Sequence, residues 1–404
     1  MPNTTFEKWE EKSIKQLAVL ICDGDWIETK NQSFNGIRLI QTGNIGEGCY
    51  KDKTENARYI SEETFKKLNC TEIFSGDCLV SRLPQPLGRA CIIPYKNERM
   101  ITAVDCSIIR FNNKVITPKY FIYYSMSDSY NKKVTALSTG ATRQRISRKN
   151  LETITIPLPP LPEQERIVAK LDKAFEAIDK SKTIAETNLK NAKELFESAL
   201  NKAFTKNTDG WEEKTLGEVS QIISGTTPDT SNPDFWGKGN YWVTPAEINE
   251  DNLYIRKTAR EITNLAIESC SLCKMPRGTI IFSSRAPIGK IAISDVDTLY
   301  CNQGFKNFIC SKNIYNKFLY YFLLKNKKYL ISLGKGTTFK EVSKGIISAV
   351  NIQYPLLPEQ HKIVERLDKL QEQTKQLEAI YTKKIKDLDE LKQSILQKAF
   401  RGEL

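Results

Sequence analysis

Histidine and paired metal-ligand motifs are scarce in this sequence. Its 404 residues contain one histidine, His361. A lone histidine without a nucleophilic or metal-ligating companion favours an ordinary helix position over catalysis. The single CxxC motif, Cys270 to Cys273, lacks the second pair that a four-thiolate zinc site requires. These shortages argue against histidine-based catalysis and against structural zinc.

Membrane and secretion signals are also missing. No apolar stretch reaches the length of a membrane span, and the start, MPNTTFEKWEEKSIKQ, lacks the basic-then-apolar order of a signal peptide. Most of the ten cysteines stand singly in apolar surroundings, which favours reduced thiols over a disulfide framework. We therefore expect a cytoplasmic protein without a membrane partner.

No cofactor motif is complete. Residues 232–235, with the sequence NPDF, differ by one residue from the Asn-Pro-Pro-Phe loop of adenine methyltransferases. The glycine-rich cofactor loop expected between a strand and a helix is not found in the sequence. The run LGKGTT at 333–338 departs from the phosphate-loop pattern. We expect a non-catalytic chain with no metal or cofactor of its own.

Positive charge is abundant. Sixty Lys and Arg residues against 48 Asp and Glu residues give a net charge of +12. Such a balance favours a polyanionic partner, with nucleic acid ahead of a membrane surface.

Two copies of one segment lie half a chain apart. LPEQERIVAKLDK begins at Leu161 and LPEQHKIVERLDK at Leu357, with nine identities in thirteen positions at an offset of 196. WEEK at Trp9 likewise returns at Trp211. Between these anchors the halves differ, which indicates two variable domains, each followed by a similar segment.

The similar segments are predicted to be long helices. Pro162 and Pro358 suit a first helical turn, where the missing N–H costs nothing. Apolar side chains then recur at spacings of four and three from Ile167 and from Ile363, with one extra four in each copy. Two such stripes predict that the helices pair with each other in a coiled-coil-like manner.

The variable parts are typical of mixed domains. Short β-rich runs such as GIRLIQTGNIGEG and GTIIFSSRAPIGKIAIS are broken by Gly, Pro and Asn, and helical stretches join them. We predict an α+β protein with a pseudo-twofold internal repeat. Its globular domains span 1–157 and 207–353, and its spacer helices span 158–206 and 354–404.

Two dissimilar domains that alternate with two LPEQ…IV..LD helices resemble the specificity (S) subunit of type I restriction–modification enzymes. The run RAPIGKIAI followed by CNQGFKNF in the second half adds to the resemblance. The first half departs from that run, with SRLPQPLGRACI and AVDCSIIRF in its place. The resemblance covers essentially the whole chain.

The resemblance implies a division of labour within a complex. Each variable domain would be a target-recognition domain that reads one half of a bipartite site in double-stranded DNA. The paired helices would be antiparallel, would set the distance between half-sites, and would dock two methyltransferase (M) subunits, which motor-nuclease (R) subunits join. S-adenosylmethionine, ATP and Mg²⁺ would be used by those partners.

The last part of each variable domain is strongly basic. Residues 132–149 include six Lys or Arg and no acid, and residues 325–345 include six lysines and one acid. A glycine in each segment lets backbone N–H groups approach phosphates closely, although a solvated charged surface is the alternative. The predicted contact residues are Gly140, Thr142, Arg143, Arg145, Arg148, Lys149, Lys335, Thr338, Lys340 and Lys344.

Base reading requires side chains that bond base edges, chiefly Arg, Asn and Gln. Ser81-Arg82 followed by Gly88-Arg89 resembles Ser284-Arg285 followed by Gly289-Lys290. Asn44, within QTGNIGEG, also fits ordinary turn chemistry. The predicted base-reading residues are Arg82, Arg89, Arg143, Arg145, Arg285, Lys290, Asn302 and Gln303.

Two other functions stay open on the sequence alone. A coiled-coil scaffold without DNA specificity would need the helices only, and the twin basic segments argue against it. The chain also fits the specificity subunit of a fused methyltransferase–nuclease system.

Overall fold

In a computed structural model the chain divides into two compact units. Unit 1 comprises residues 1–186 and 382–404, and unit 2 comprises residues 187–381. No helix within the described ranges is long and apolar enough to cross a bilayer. The structure describes residues 9–140, 144–205, 210–249, 252–285, 287–336 and 340–404.

Unit 1 contains a mixed domain built from short strands and helices. Its strands are β1 (Glu10–Ser13), β2 (Ala18–Asp23), β3 (Ile37–Ile40), β4 (Arg58–Ile60), β5 (Glu72–Ile73), β6 (Cys78–Ser81), β7 (Ala90–Ile92), β8 (Met100–Thr102), β9 (Cys106–Phe111) and β10 (Thr155–Leu158). Its helices are α1 (Ile14–Leu17), α2 (Glu62–Lys67), α3 (Pro118–Ser125), α4 (Asp128–Ala136), α5 (Arg148–Thr153) and the start of α6 (Leu161–Ala203).

These strands form two four-stranded sheets and one two-stranded ribbon. One sheet has the order β2-β9-β6-β7 and is antiparallel, and the other has the order β4-β3-β8-β5 with β3 and β8 parallel. The ribbon joins β1 to β10. Because β10 directly precedes α6, this ribbon ties the first strand of the domain to the start of the long helix.

Unit 2 repeats this plan. Its strands are β11 (Glu212–Thr215), β12 (Ser220–Ile223), β13 (Trp236–Val243), β14 (Tyr254–Ile255), β15 (Arg260–Ile262), β16 (Ile280–Phe282), β17 (Ile291–Ser294), β18 (Leu299–Cys301), β19 (Asn307–Cys310) and β20 (Asn351–Tyr354). Its helices are α7 (Leu216–Val219), α8 (Asn264–Ser269), α9 (Asn316–Lys325), α10 (Lys327–Ser332), α11 (Lys344–Ser348) and the start of α12 (Leu357–Arg401).

The sheets of unit 2 have the orders β12-β19-β16-β17-β14 and β15-β13-β18, and β11 pairs with β20. As in unit 1, the ribbon strand β20 leads directly into the long helix, here α12. The prediction of mixed α/β domains in a pseudo-twofold repeat is confirmed.

The two long helices pair in antiparallel fashion, as predicted. Within unit 1, Lys182 Nζ lies 2.7 Å from an oxygen of Asp389, and Lys392 Nζ lies 2.9 Å from one of Asp179. Higher numbers on one helix therefore meet lower numbers on the other. The predicted stripe from Ile167 is buried or half-buried along α6, whereas its counterpart on α12 has one exposed member, Leu377.

The end of each long helix belongs to a core. In unit 1, the Phe400 ring near the end of α12 lies 5.3 Å from the Tyr120 ring and 5.2 Å from the Tyr124 ring of α3. In unit 2, Phe204 directly follows α6 and lies 5.0 Å from the Phe318 ring of α9. Each domain thus packs the start of one long helix and the end of the other.

Candidate nucleic-acid interface

Two equivalent loops occupy the basic segments. Thr139 and Arg145 exchange backbone hydrogen bonds of 2.9 and 2.8 Å, and Lys335 and Glu341 exchange bonds of 3.0 and 2.9 Å. Gly140 and Gly336, one residue inside each closing pair, have φ of 108° and 128°. A side chain is disfavoured at such φ values, so both loops depend on glycine there.

Three predicted contact residues lie outside the described residues. They occupy the middle of the loops and are Thr142, Arg143 and Thr338. Their DNA-contacting role stays a prediction.

Each loop segment is hydrogen-bonded to a hairpin of its own domain. The Ile146 N–H donates to the Arg82 carbonyl (3.3 Å), and the Val342 N–H donates to the Ser284 carbonyl (3.0 Å). The bond from the Gly88 N–H to the Ser81 carbonyl (2.9 Å) matches the bond from Gly289 to Ser283. Ser81-Arg82 therefore corresponds to Ser283-Ser284, and the sequence-based pairing with Ser284-Arg285 is wrong by one residue.

Arg89 and Lys290 occupy matching positions and bind matching carbonyls. The Arg89 guanidinium donates to the carbonyls of Thr42 (2.8 Å) and Ile45 (2.7 Å), and also to two carbonyls of its own hairpin. Lys290 Nζ donates to the Pro245 carbonyl (3.0 Å). Burial lowers the pKa of the Arg89 guanidinium. In this conformation both cations hold turns of their own domain.

The turns held by these cations were missed by the sequence analysis. They are 3₁₀ turns over Thr42–Asn44 and Pro245–Glu247. Asn44 is buried, and its amide accepts from the Gln41 N–H (3.0 Å) and donates to the Lys51 carbonyl (2.9 Å). The Gly-Asn pair was therefore a turn signal, and the second turn has its own signal, a capping box between Thr244 and Glu247 with Pro245 at the start of the turn.

The first turn borders an open cleft of about 590 Å³. Its polar lining includes Gln41, Lys53, Asn56 and Arg58, side chains of the types that contact bases and phosphates. Arg38, also in the lining, is 3% exposed and bonds Asp52 (3.0 Å). The cleft extends the candidate interface beyond the residues predicted from sequence.

Arg82 belongs to an internal charge network in unit 1. Its side chain lies 3.3 Å from Asp23 and donates to the Val104 carbonyl, and burial lowers its pKa. Arg148 also lies beside Asp23 (3.5 Å) and bonds Glu152 (2.6 Å). These contacts brace the base of the loop.

Arg145 is exposed but has a partner. Its guanidinium lies 2.9 Å from Asp105. The matching position in unit 2 is Glu341, which accepts from the buried Lys306 at 3.0 Å. Each loop is thus anchored by an ion pair, with the loop charge reversed between the domains.

Four predicted residues of unit 2 meet at the base of its loop. Arg285 and Lys335 each form a β-bridge with Glu341. The Ser284 N–H donates to the carbonyl of Gly304 (2.8 Å), which directly follows Asn302 and Gln303 in the chain. The side-chain Oε1 of Gln303 accepts from the Thr227 hydroxyl (2.6 Å), and the side-chain Oδ1 of Asn302 accepts from the Gly304 N–H (2.9 Å).

Exposed lysines lie in or next to both loop segments. They are Lys149 in unit 1 and Lys335, Lys340 and Lys344 in unit 2. Within the described part of the chain, none of these four side chains has a hydrogen bond or ion pair. Unpaired ammonium groups on mobile stems suit phosphate contacts, which position a protein on DNA without reading its sequence.

The chain is similar over most of its length to proteins of restriction–modification systems. The profile of the family described as "Type I restriction modification DNA specificity domain" matches residues 6–189 and 208–387. The type I restriction enzyme MjaIX specificity subunit of Methanocaldococcus jannaschii is 38% identical over 157 residues, which cover 38% of this chain and 36% of that relative.

Two longer similarities extend over the whole chain. The putative type I restriction enzyme MjaX specificity subunit of the same organism is 24% identical over an alignment of 430 residues, which covers 98% of this chain and 94% of that relative. A chain from a solved structure, described as the basis of complex assembly and conformational transition of the type I R-M system, matches with a TM-score of 0.79. It is 24% identical and the match covers 100% of both chains, a likeness of fold.

Proposed function

Because the chain belongs to the family of type I restriction–modification DNA specificity domains, we propose that it is the DNA-recognition subunit of a type I restriction–modification complex. Its two variable domains would each read one half of a bipartite site. The observation that carries the proposal is the duplicated loop, closed at Thr139/Arg145 and at Lys335/Glu341 and surrounded by cations. Two such surfaces on dissimilar domains suit two different half-sites.

The cations of the two surfaces would have separate tasks. The exposed lysines would neutralise phosphates and supply affinity that depends on salt but not on sequence. The half-buried Arg285 and Asn302 and the exposed Gln303 would present polar groups to base edges. Arg89 and Lys290 would act indirectly, since their bonds hold the turns that border each surface.

The proposal gives this chain no chemical step. Methyl transfer and DNA cleavage would belong to partner subunits, together with S-adenosylmethionine, ATP and Mg²⁺. The partners would be two M subunits and, through them, R subunits.

The long helices would provide the docking surface for the M subunits. The exposed apolar side chains of these helices would contribute to that surface. On the segments in unit 1 they are Ile184 and Leu391, and on those in unit 2 they are Leu195, Leu357, Leu377 and Ile380.

Methylation mapping of host DNA tests the proposal. The chain is co-expressed with its M partner, and the methylated sequences are compared with those from M alone. A bipartite motif that requires this chain is the expected result. If no motif depends on the chain and its DNA binding does not weaken with salt, the scaffold alternative replaces the proposal.

A further inference from the structure

The most identical part of the repeat uses its glutamine internally. Gln164, in the first turn of α6, is 0% exposed. Its amide N–H₂ group donates to the carbonyls of Val115 (2.9 Å) and Pro159 (2.9 Å), and its oxygen accepts from the Thr117 N–H (3.0 Å). The bonds to Val115 and Thr117 tie the start of α6 to the chain that enters α3, and the bond to Pro159 holds the residues that directly precede α6.

Gln360 makes the same three bonds in unit 2. Its amide donates to the carbonyls of Asn313 (3.0 Å) and Pro355 (2.8 Å), and its oxygen accepts from the Tyr315 N–H (2.8 Å). This side chain is also 0% exposed. A buried amide with its bonds satisfied costs little, and removing it would leave buried backbone groups without partners.

The aspartate of the motif forms a second attachment, eight residues later. Asp172 accepts from Lys119 (2.7 Å) and from the Tyr123 hydroxyl, both on α3. On α12, Asp368 accepts from Lys317 (2.5 Å) and from the Tyr321 hydroxyl (2.7 Å) on α9. We call Gln164, Asp172, Lys119 and Tyr123 the first latch, and their counterparts Gln360, Asp368, Lys317 and Tyr321 the second latch.

The two latches separate side-chain requirements from backbone requirements. Where a side chain makes the contact, the residue is identical in both units: Gln, Asp, Lys and Tyr. Among the residues that contribute only backbone groups, Val115 and Asn313 differ, as do Thr117 and Tyr315, whereas Pro159 and Pro355 are identical. The segments around the starts of α3 and α9 therefore share the contacting Lys and Tyr side chains but not the residues that contribute backbone groups.

The latches also tolerate a change of chain length. The long-helix residues correspond at an offset of 196, whereas Lys119 and Tyr123 correspond to Lys317 and Tyr321 at an offset of 198. Between the latch tyrosine and the latch glutamine, unit 1 has two more residues than unit 2, yet both attachments are preserved. A geometry that survives such a change is specified by the contacts and not by chain connectivity.

Two attachment points on one helix define a direction. Eight residues of helix separate them by about 12 Å. The apolar contacts between them, from Ile167 and Leu171, are non-directional and permit small rotations or slides. Hydrogen bonds and ion pairs have preferred angles, so the latch removes that freedom.

The second latch is the more protected of the two. The Lys317 side chain is 17% exposed, against 52% for Lys119. Burial alone lowers the pKa of the Lys317 ammonium, but the hydrogen bond and charge of Asp368 outweigh it and raise that pKa. Burial, together with the bond to Asp368, also raises the pKa of the Tyr321 phenol.

We propose that the latch residues are positioning residues for DNA recognition: each latch fixes the direction in which a long helix leaves its own recognition domain, and so the gap between half-sites that the complex accepts. This inference rests on the proposed function. It assigns the glutamine and aspartate of the repeated motif to the chain's own geometry and not to partner docking.

The test uses the full chain with its M partner and maps methylated sites by gap length. Asp368→Asn removes the charge that Lys317 meets but keeps an oxygen for the Tyr321 hydroxyl, and Gln360→Met removes the bonds of the amide. Matched controls on the same helix are Asp387→Asn and Gln373→Met, whose side chains are exposed. Thermal unfolding of every variant is measured in parallel.

A positioning role predicts altered gaps with unaltered bases. In the Asp368→Asn variant, methylation at sites one base pair longer or shorter, relative to native-gap sites, rises about tenfold, the scale of one mismatch in a DNA site. The half-site sequences stay the same, and the controls behave as the unmodified chain does. Asp172→Asn gives a smaller effect, because the first latch is more exposed.

A purely structural role predicts something different. Thermal stability and total methylation would fall, but the distribution of gaps would be unchanged, and that result overturns the proposal. If Asp368→Asn does not fold, Lys317→Met removes the same ion pair from the domain side and is judged by the same readout. Failure of the proposed function would appear earlier, as the absence of any bipartite motif with the unmodified chain.

Discussion

At the scale of single residues, Arg89 and Lys290 show how one side chain suits two roles. Both were predicted to read bases, because arginine and lysine are the commonest partners of guanine. In the structure both donate to backbone carbonyls of a neighbouring turn, and their base-reading role stays a prediction. The N–H groups of either side chain can donate to a base edge or to a backbone carbonyl. The position of the side chain in the folded protein decides which acceptor it meets.

We expect Arg89→Met to destabilise unit 1. Four carbonyl acceptors lose a charged donor, so the free energy of unfolding falls by about 2 kcal/mol. Lys290→Met removes the donor to one carbonyl and should lower the free energy of unfolding of unit 2 by about 1 kcal/mol. Lys149→Met, at an exposed and unpaired lysine, is the matched control. Equal thermal stability of the Arg89 variant and the control would refute the structural role.

The exposed lysines should act through phosphates. Replacing Lys340 and Lys344 by Gln should make the slope of log affinity against log salt shallower by about 2, since each phosphate contact contributes about 0.9. Lys383→Gln with Lys384→Gln removes the same charge from exposed positions on α12. DNA binding over a salt series checks this, and a shift shared by both double variants would mean a general charge effect.

At the scale of elements, each domain depends on a helix that begins in the other half of the sequence. Leu396 and Ala399 near the end of α12 are fully buried in the same core as Tyr120 and Phe121 of unit 1. Leu200 of α6 is buried with Leu319 in unit 2. The heptad pattern predicted the helices and their pairing, but it could not assign their ends to particular cores.

Truncation of Leu396 should destabilise unit 1 in particular. Leu396→Ala leaves a cavity in a filled core and should cost about 2–5 kcal/mol. Leu391→Ala, on the same helix with 46% of the side chain exposed, is the control and should cost less than about 1 kcal/mol. Hydrogen exchange should show faster opening of α3 and β6 in the first variant; uniform exchange across both units would contradict this assignment.

At the scale of the whole molecule, each recognition domain is closed by a two-stranded ribbon of its own. The ribbons β1–β10 and β11–β20 close the domains at the points where the long helices begin. A boundary inside the loop 335–341 would cut the candidate interface, whereas a boundary at the ribbon preserves it. The limits predicted from sequence at 157 and 353 fall within the ribbon strands β10 and β20, and the predicted start at 207 precedes β11; as domain limits they stay predictions.

Exchange of one domain should therefore change one half-site. Replacing residues 211–354 by the equivalent domain of a relative keeps both ribbon strands together and leaves α6 and α12 in place. Methylation mapping should then show one altered half-site, the other half-site intact and the gap preserved. Altered bases in both half-sites would mean that the domains do not read DNA independently.

The sequence by itself determined the repeat, the two long helices and the mixed character of the domains. These features depend on order along the chain: a constant offset, a spacing of three and four, and short β-rich runs between turn residues. The glycine turns of the two loops were predictable for the same reason, because a positive φ favours one residue type.

Only the tertiary structure decided which polar side chains face inward. Arg89 bonds a carbonyl 44 residues before it, and Gln164 bonds one 49 residues before it. No local pattern records such a partner, because a hydrogen bond depends on distance in space and not along the chain. For that reason the repeated LPEQ and LD residues, which the sequence marked only as a repeat, acquired a role only once their partners were seen.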